Sequence, residues 1–340
     1  MKILELNKTP YENGYLSGKY FYQLRDEVIK EIKTLKMDKE YIIQYKCLYE
    51  RLKNEYPRYY EELNGKADAL EIEPFKFFTL HCPELNNIQK EQCSTIICKK
   101  ENGHFILSHN EDDTYIENNF CMSKVIIDQN NYFYTNDMVN MPFGNGISWN
   151  SYGLIKTINY LHDEEHNLNH LPRYFAQRHI SEAKSIDDLI QRCHEIDTAS
   201  GYHVNAIDLN QMKAVSIEVS VNEVNVVYID DMHCHTNHYI HTKKNFKSLG
   251  DIQGNSILRL ENIQKQLKNS DKTIEGIRKI LNYRSDDDSY MNSIFQKKGD
   301  WQMTIFNFTV DTETNEIILE IFINNEIVFF EIVKSIHYTR

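Results

Sequence analysis

A thiol and a carboxylate bracket one short stretch of this chain. Cys93 stands at the start of the segment 92–113 and Asp112 near its end. Ser94 to Lys100 is β-branched at Thr95, Ile96 and Ile97, which suits a pleated strand. Glu101-Asn102-Gly103 supplies a tight turn, because Asn and Gly tolerate positive φ. His104 to His109 then returns as the partner strand, and the pairing brings Cys93 and Asp112 near each other. A thiol in such a place is a candidate nucleophile, since the thiolate is the reactive form and its neighbours decide how readily it appears. The plain alternative is a structural cysteine, because free Cys is among the most buried residue types. A second cluster is His233-Cys234-His235, His238 and His241. His-x-His on a strand puts two imidazoles on one face, a geometry compatible with zinc.

The elements that would position these residues change character near residue 92. Residues 1–92 read as mostly helical. Tyr11 to Met37 carries apolar residues at helical spacing, with Gly14 and Gly18 near its start, where close packing against another element is open to it. Further helices are predicted from Tyr41 to Leu52, from Pro57 onward and from Glu73-Pro74, Pro being well placed in a first turn. The polar segment from Asn86 to Gln92 reads as an exposed loop, the kind of place where a chain is cut. Strands are predicted at Met122–Asp128, Tyr132–Asn136, Ile147–Asn150 and Leu154–Leu161. Two helices follow, from Pro172 and from the capping Ser185. Strands resume at His203–Leu209, Lys213–Val219 and Glu223–Ile229, with a short strand, or the end of one, at His235–Ile240. Helices at Ser256–Leu267 and Ser270–Leu281 precede three closing strands, Trp301–Val310, Ile317–Ile323 and Ile327–Val333. Segregated runs of this kind predict an α+β fold with helices covering antiparallel sheets.

Composition excludes several function classes. The chain has 340 residues, 41% of them apolar, and a formal charge of −12. That supports a packed core, and an acidic surface repels phosphate backbones, so nucleic acid is not an expected partner. The seven cysteines are irregularly spaced and contain no CxxC, which fits reduced thiols and a cytoplasmic location better than a disulfide framework. No run approaches the ~18 apolar residues of a membrane span, and the N-terminus lacks the apolar run of a signal peptide.

Several short motifs, in shared order, carry a resemblance. They are Pro57-Arg58-Tyr59-Tyr60-Glu61-Glu62-Leu63-Asn64-Gly65-Lys66-Ala67; Cys93-Ser94-Thr95 with Gly103 and Asn110-Glu111-Asp112; and Trp149-Asn150-Ser151-Tyr152-Gly153-Leu154 with Asn159. Pro172 with Arg178, Ile217-Glu218, His235-Thr236-Asn237-His238 and Ser256-Ile257-Leu258-Arg259 complete the set. Together the chain resembles the acyl-coenzyme A:6-aminopenicillanic acid acyltransferase family, related to choloylglycine hydrolases within the N-terminal nucleophile superfamily. His109 stands where bile-salt-type members carry Arg, which places the chain nearer the penicillin-acyltransferase-like branch.

The resemblance implies a four-layer αββα fold and self-cleavage between Gln92 and Cys93. Residues 1–92 would be a helical propeptide, the α chain after cutting, and 93–340 the catalytic domain, the β chain. It implies reaction at a linear amide C–N bond through an acyl-thioester on Cys93. The freed α-amine, titrating near ~7.7–8.0, would be the base for its own thiol. Asp112 would orient that amine. The Asn237 side chain, with a backbone N–H near Asn159, would hold the oxyanion. Arg259 would either bind a substrate carboxylate or pair with Asp112. The same motif accounts for His235 to His238 without a metal, and no cofactor is implied. The substrate would be a small N-acyl amide or acyl-thioester; hydrolysis, acyl transfer and self-association into oligomers stay open. The contrasting expectation is an uncleaved chain that keeps the fold as a non-catalytic binding or scaffold protein.

Overall fold

A computed structural model describes residues 3–86, 92–113, 119–161, 165–242, 251–300, 302–323 and 326–334. Strand β1 (Leu4–Leu6) precedes six helices: α1 (Pro10–Tyr20), α2 (Arg25–Thr34), α3 (Lys39–Glu55), α4 (Pro57–Ala69), α5 (Pro74–Leu80) and α6 (Pro83–Asn86). Then come β2 (Gln92–Lys99), β3 (Phe105–Asp113), β4 (Cys121–Ile126), β5 (Tyr132–Asp137), β6 (Ser148–Asn150) and β7 (Leu154–Tyr160). Helices α7 (Arg173–Ile180) and α8 (Ile186–Glu195) lead to β8 (Tyr202–Asp208), β9 (Lys213–Val219), β10 (Val224–Tyr228) and β11 (Met232–His235). The chain closes with α9 (Asp251–Leu267), α10 (Ile274–Leu281), β12 (Met303–Asp311), β13 (Glu316–Ile323) and β14 (Glu326–Lys334). The fold is α+β, in the segregated order the sequence predicts.

Three details differ from the sequence reading. The long helix expected over Tyr11–Met37 is two helices separated by a 3-10 turn at Tyr22–Leu24. Of the short strand or strand end expected at His235–Ile240, only His235 belongs to a strand, because the chain beyond it turns onto Glu218, as described below. Of the predicted exposed loop, residues 87–91 lie outside the described residues, and Gln92 is a buried member of β2, paired with Asp112. Trp301, expected to open the last strand group, also lies outside the described residues.

Contacts divide the chain into two compact units. The first comprises Met1–Gln89, Ile116–Tyr152 and Glu165–Ser200. In it β1 runs parallel to β4, and β4, β5 and β6 follow as antiparallel neighbours. Helices α1 and α4 lie in backbone contact because glycines face each other. A Cβ on Gly14 would stand 1.9 Å from the Glu62 carbonyl oxygen, and one on Gly65 1.9 Å from that of Tyr11. Buried charge in this unit is paired. Lys66 meets Asp137 at 2.9 Å, and Arg178 on α7 grips Glu62 on α4 through Nε and Nη2 at 2.9 and 2.8 Å.

The second unit comprises Lys90–Tyr115, Gly153–Glu164 and Gly201–Arg340. Its six-stranded sheet has the order β11-β2-β3-β12-β13-β14, every neighbour antiparallel. Side chains alternate across β2. Ile96 and Cys98 face one way, onto Leu260, Ile263 and Leu267 of α9 and Ile277, Ile280 and Leu281 of α10. Cys93 and Thr95 face the other way, toward β7, which runs on through antiparallel β8, β9 and β10. Helices, sheet and second strand layer thus succeed one another, three of the layers of the αββα order. Gly103 takes φ +85° in the β2–β3 turn, as that turn requires. Among the described residues no helix is long and apolar enough to cross a membrane.

Candidate active site

The hairpin register sets out the site. Cys93 lies opposite Glu111, Thr95 opposite His109 and Gln92 opposite Asp112. Pleating therefore puts Cys93, Thr95, His109 and Glu111 on the face toward β7, and Ser94, Asn110 and Asp112 on the face toward α9 and α10.

On the α9 side, Arg259 organises the nucleophile. Its Nη1 donates to the Cys93 carbonyl at 2.7 Å and to Ser94 Oγ at 2.8 Å; its Nη2 donates to Asn237 Oδ1 at 2.8 Å and its Nε to Asn255 Oδ1 at 2.7 Å. Asn237 Oδ1 also accepts the Cys93 backbone N–H at 2.9 Å, while Asn237 Nδ2 donates to the Tyr160 carbonyl at 2.9 Å. The direct ion pair expected between Arg259 and Asp112 is absent among the described residues. The guanidinium is committed to neutral acceptors, whose fixed geometry suits its planar fork. Burial lowers the Arg259 pKa, and the nearby Asp112 charge works against that.

Asp112 accepts from Thr304 Oγ1 at 2.7 Å on Oδ1, and its buried Oδ2 has no hydrogen-bond partner among the described residues. Burial raises its carboxyl to about 7, against the opposing pull of Arg259 and of the Thr304 hydroxyl. It is a carboxylate with one oxygen held and one waiting.

On the β7 side, the Cys93 thiol lies 3.5 Å from Glu111 Oε1, and Glu111 Oε2 lies 3.2 Å from His109 Nε2. His109 Nδ1 meets Thr95 Oγ1 at 2.7 Å, and Thr95 Oγ1 donates to Asn159 Oδ1 at 2.9 Å. Asn159 Nδ2 is buried and without a partner among the described residues. Burial pushes His109 down to about 3, so the ring is neutral.

The segment that carries Asn237 is anchored by Glu218 at the end of β9. Its carboxylate accepts from the His235 ring at 3.0 Å and from the backbone N–H groups of Ile240, His241 and Thr242. Burial pushes Glu218 upward, but these donors outweigh it and hold the carboxyl below its ordinary value. Thr236 and Asn237 are also tied to Ser256 of α9.

His203, His235 and His241 each offer a ring nitrogen within 4.8 Å of the others, and each of these rings also has protein partners. His203 and His235 stack face to face, 3.4 Å between centroids and 10° from parallel, so their in-plane lone pairs run side by side. His235 is bonded at both nitrogens, to the Thr236 carbonyl and to Glu218. His203 and His241 both meet Ser216 Oγ at 2.7 Å. Stacking and hydrogen bonding tie these rings to one another and to Glu218.

All five residues proposed from the sequence, Cys93, Asp112, Asn159, Asn237 and Arg259, lie in the second unit. Cys93, Asn237 and Arg259 are in direct contact, Asn159 joins through Thr95, and Asp112 stands one residue from the partner of Cys93. Sequence reasoning assigned no role to Glu111, Thr304, Asn255 or Thr95. Glu111 had a signal: a turn centred on Asn102 puts residue 111 opposite residue 93.

The sequence pattern of the acyl-coenzyme A:6-aminopenicillanic acid acyl-transferase family matches residues 98–321. The chain belongs to this family. The matched region contains four of the five residues proposed from the sequence, Asp112, Asn159, Asn237 and Arg259, and begins five residues after Cys93. A β-alanyl-dopamine/carcinine hydrolase of Drosophila melanogaster is 26% identical over 216 residues, 55% of this chain and 55% of that protein. The chain thus aligns with about half the length of that relative. Two solved structures are also similar. One is a mutant of the conjugated bile acid hydrolase from Clostridium perfringens, at TM-score 0.42 and 14% identity, covering 71% of this chain and 92% of that one. The other is penicillin V acylase from Agrobacterium tumefaciens, at TM-score 0.36 and 11% identity, covering 67% and 83%.

Proposed function

We propose that this protein is a self-processing cysteine enzyme acting on linear amide C–N bonds. The chain is cut between Gln92 and Cys93 into an α chain of residues 1–92 and a β chain of 93–340. The observation that carries this reading is the grip on Cys93. Its nitrogen is held by Asn237 Oδ1, its carbonyl by Arg259, and its thiol points into a separate polar cluster.

In the cut enzyme the Cys93 amine takes the thiol proton and the thiolate attacks the substrate carbonyl. The resulting ammonium is met by Asp112, whose unpartnered Oδ2 is suited to a cation arriving beside Gln92's former position. The oxyanion needs fixed donors, each typically worth about 2.7–4 kcal/mol. Asn159 Nδ2 is one, and the second N–H of Asn237 Nδ2 is the other. The ammonium then protonates the leaving amine, the C–N bond breaks, and an acyl-thioester remains on Cys93 until water or another amine takes the acyl group.

The carcinine-hydrolysing relative makes a small N-acyl amine the first substrate class to try, with hydrolysis before transfer. The seven cysteines, all free, agree with a reducing, cytoplasmic setting. Intact mass and a denaturing gel test the reading. Two pieces meeting at Gln92/Cys93 are expected from the wild type and one piece from Cys93→Ala. A fully active Cys93→Ala enzyme would sink the mechanism.

A further inference from the structure

Self-cleavage has a requirement that turnover does not. Before the cut, the Cys93 nitrogen is an amide, and it already donates its hydrogen to Asn237 Oδ1. It cannot take the thiol proton. Building on the self-processing reading above, we infer that Glu111 is the base for the cutting step, receiving the Cys93 thiol proton on Oε1 and later returning it to the Cys93 nitrogen.

Four observations carry this. Glu111 Oε1 is 3.5 Å from the Cys93 sulfur, within reach for a thiol hydrogen bond. The two residues are cross-strand partners, so the ladder itself fixes their approach. The other carboxylate oxygen lies 3.2 Å from His109 Nε2; because Thr95 Oγ1 gives its one hydrogen to Asn159, neutral His109 carries its proton on Nδ1, and the Nε2 lone pair favours the protonated carboxyl that receives the thiol proton. The competing acceptors are unsuited. His109 is buried, with its basicity suppressed. Asp112 lies on the opposite face of the hairpin, hydrogen-bonded to Thr304 and under the influence of the Arg259 charge.

The step balances. The S–H proton passes to Glu111 and the thiolate attacks the Gln92 carbonyl carbon. The Gln92–Cys93 C–N bond breaks as Glu111 delivers the proton to the leaving Cys93 nitrogen. The acyl group of Gln92 is left on the sulfur as a thioester, which water hydrolyses to the Gln92 carboxylate and the free thiol. Cys93 now carries the amine that serves as base in later turnovers, and Glu111 has acted before that amine exists.

The test follows cutting by intact mass after cell-free synthesis of the full chain, with wild type, Cys93→Ala, Glu111→Gln and Glu111→Asp run side by side. The expected result is a whole Cys93→Ala chain and a Glu111→Gln chain cut about 100-fold or more slowly, the usual size of a general-base contribution. Glu111→Asp, which keeps a carboxylate on a shorter arm, falls between. Cutting of Glu111→Gln at the wild-type rate overturns the role of Glu111 and leaves self-processing standing. A wild-type chain that stays whole overturns self-processing and this role with it. If Glu111→Gln does not fold, the wild-type pH profile decides. A rate that levels off after one carboxyl-type ionisation is expected, and a rate that climbs tenfold per pH unit through the alkaline range overturns the proposal.

Discussion

Asn159 holds its carbonyl oxygen against Thr95, and its buried amide nitrogen has no partner among the described residues. An unsatisfied buried donor costs about 1–3 kcal/mol, and an oxyanion would relieve it. Asn159→Ala should therefore keep the fold and lower kcat by about 100- to 1,000-fold with little change in KM; equal kcat values would remove Asn159 from the oxyanion role. Asp112 makes a pH prediction for the uncut chain. Its carboxyl stands at about 7 in the fold and near ~3.9 when unfolded. Between those values the folded chain binds more protons, so stability falls as pH rises. The whole effect, about 4 kcal/mol for such a gap, is absent below the lower value and complete above the upper. Asp112→Asn should flatten the urea midpoint across this window and raise it at alkaline pH, while slowing amide turnover. A midpoint as pH-dependent as the wild type's would contradict this. Much of the site was legible at this scale because Cys93, Asp112, Asn237 and Arg259 sit in recognisable short motifs. Arg259's true partners were not, since they are carbonyl and amide oxygens that any sequence offers in abundance. Thr304 was hidden too: it meets Asp112 across 192 positions of chain.

Glycine spacing in α1 announced a close approach, and α1 and α4 do meet backbone to backbone. A methyl group at Gly14 would be driven into the Glu62 carbonyl. Gly14→Ala should destabilise by about 1–3 kcal/mol or more through forced separation of the helices, read as a lower denaturant midpoint; an unchanged midpoint would mean that the two helices can part freely. The hydrophobic pattern also placed α9, α10 and the three closing strands. It left the segment after His235 open, because its path follows from Glu218 binding three successive backbone N–H groups rather than from any propensity of its own. Glu218→Gln weakens that anchor by removing the charge from these bonds. It should raise amide exchange over residues 236–242 and lower activity together. Unchanged exchange would show that Ser256 alone holds the segment.

The molecule as a whole carries a charge of −12. Its field opposes anionic ligands and is screened by salt. An acyl-coenzyme A donor bears several phosphate charges, whereas a small N-acyl amine has none or few. Raising ionic strength should lower KM for the anionic donor and leave KM for a neutral amide nearly constant. Parallel salt responses would mean that local cations near the site, not the total charge, govern entry. The global charge was plain in the composition. The division into two units was not, since each is assembled from three separated stretches of chain.

The turn at Glu101-Asn102-Gly103 takes no part in any chemistry, yet it acts as the gauge block of the site. Strand pairing transmits its length, residue by residue, to the far end of the hairpin. One residue added there would slide β2 against β3 by one step, move the sulfur off Glu111 and turn it to the opposite side of the sheet. Surface loops with no register to keep tolerate added length at little cost. This one, far from the reaction and open to water, is held to a fixed size by it.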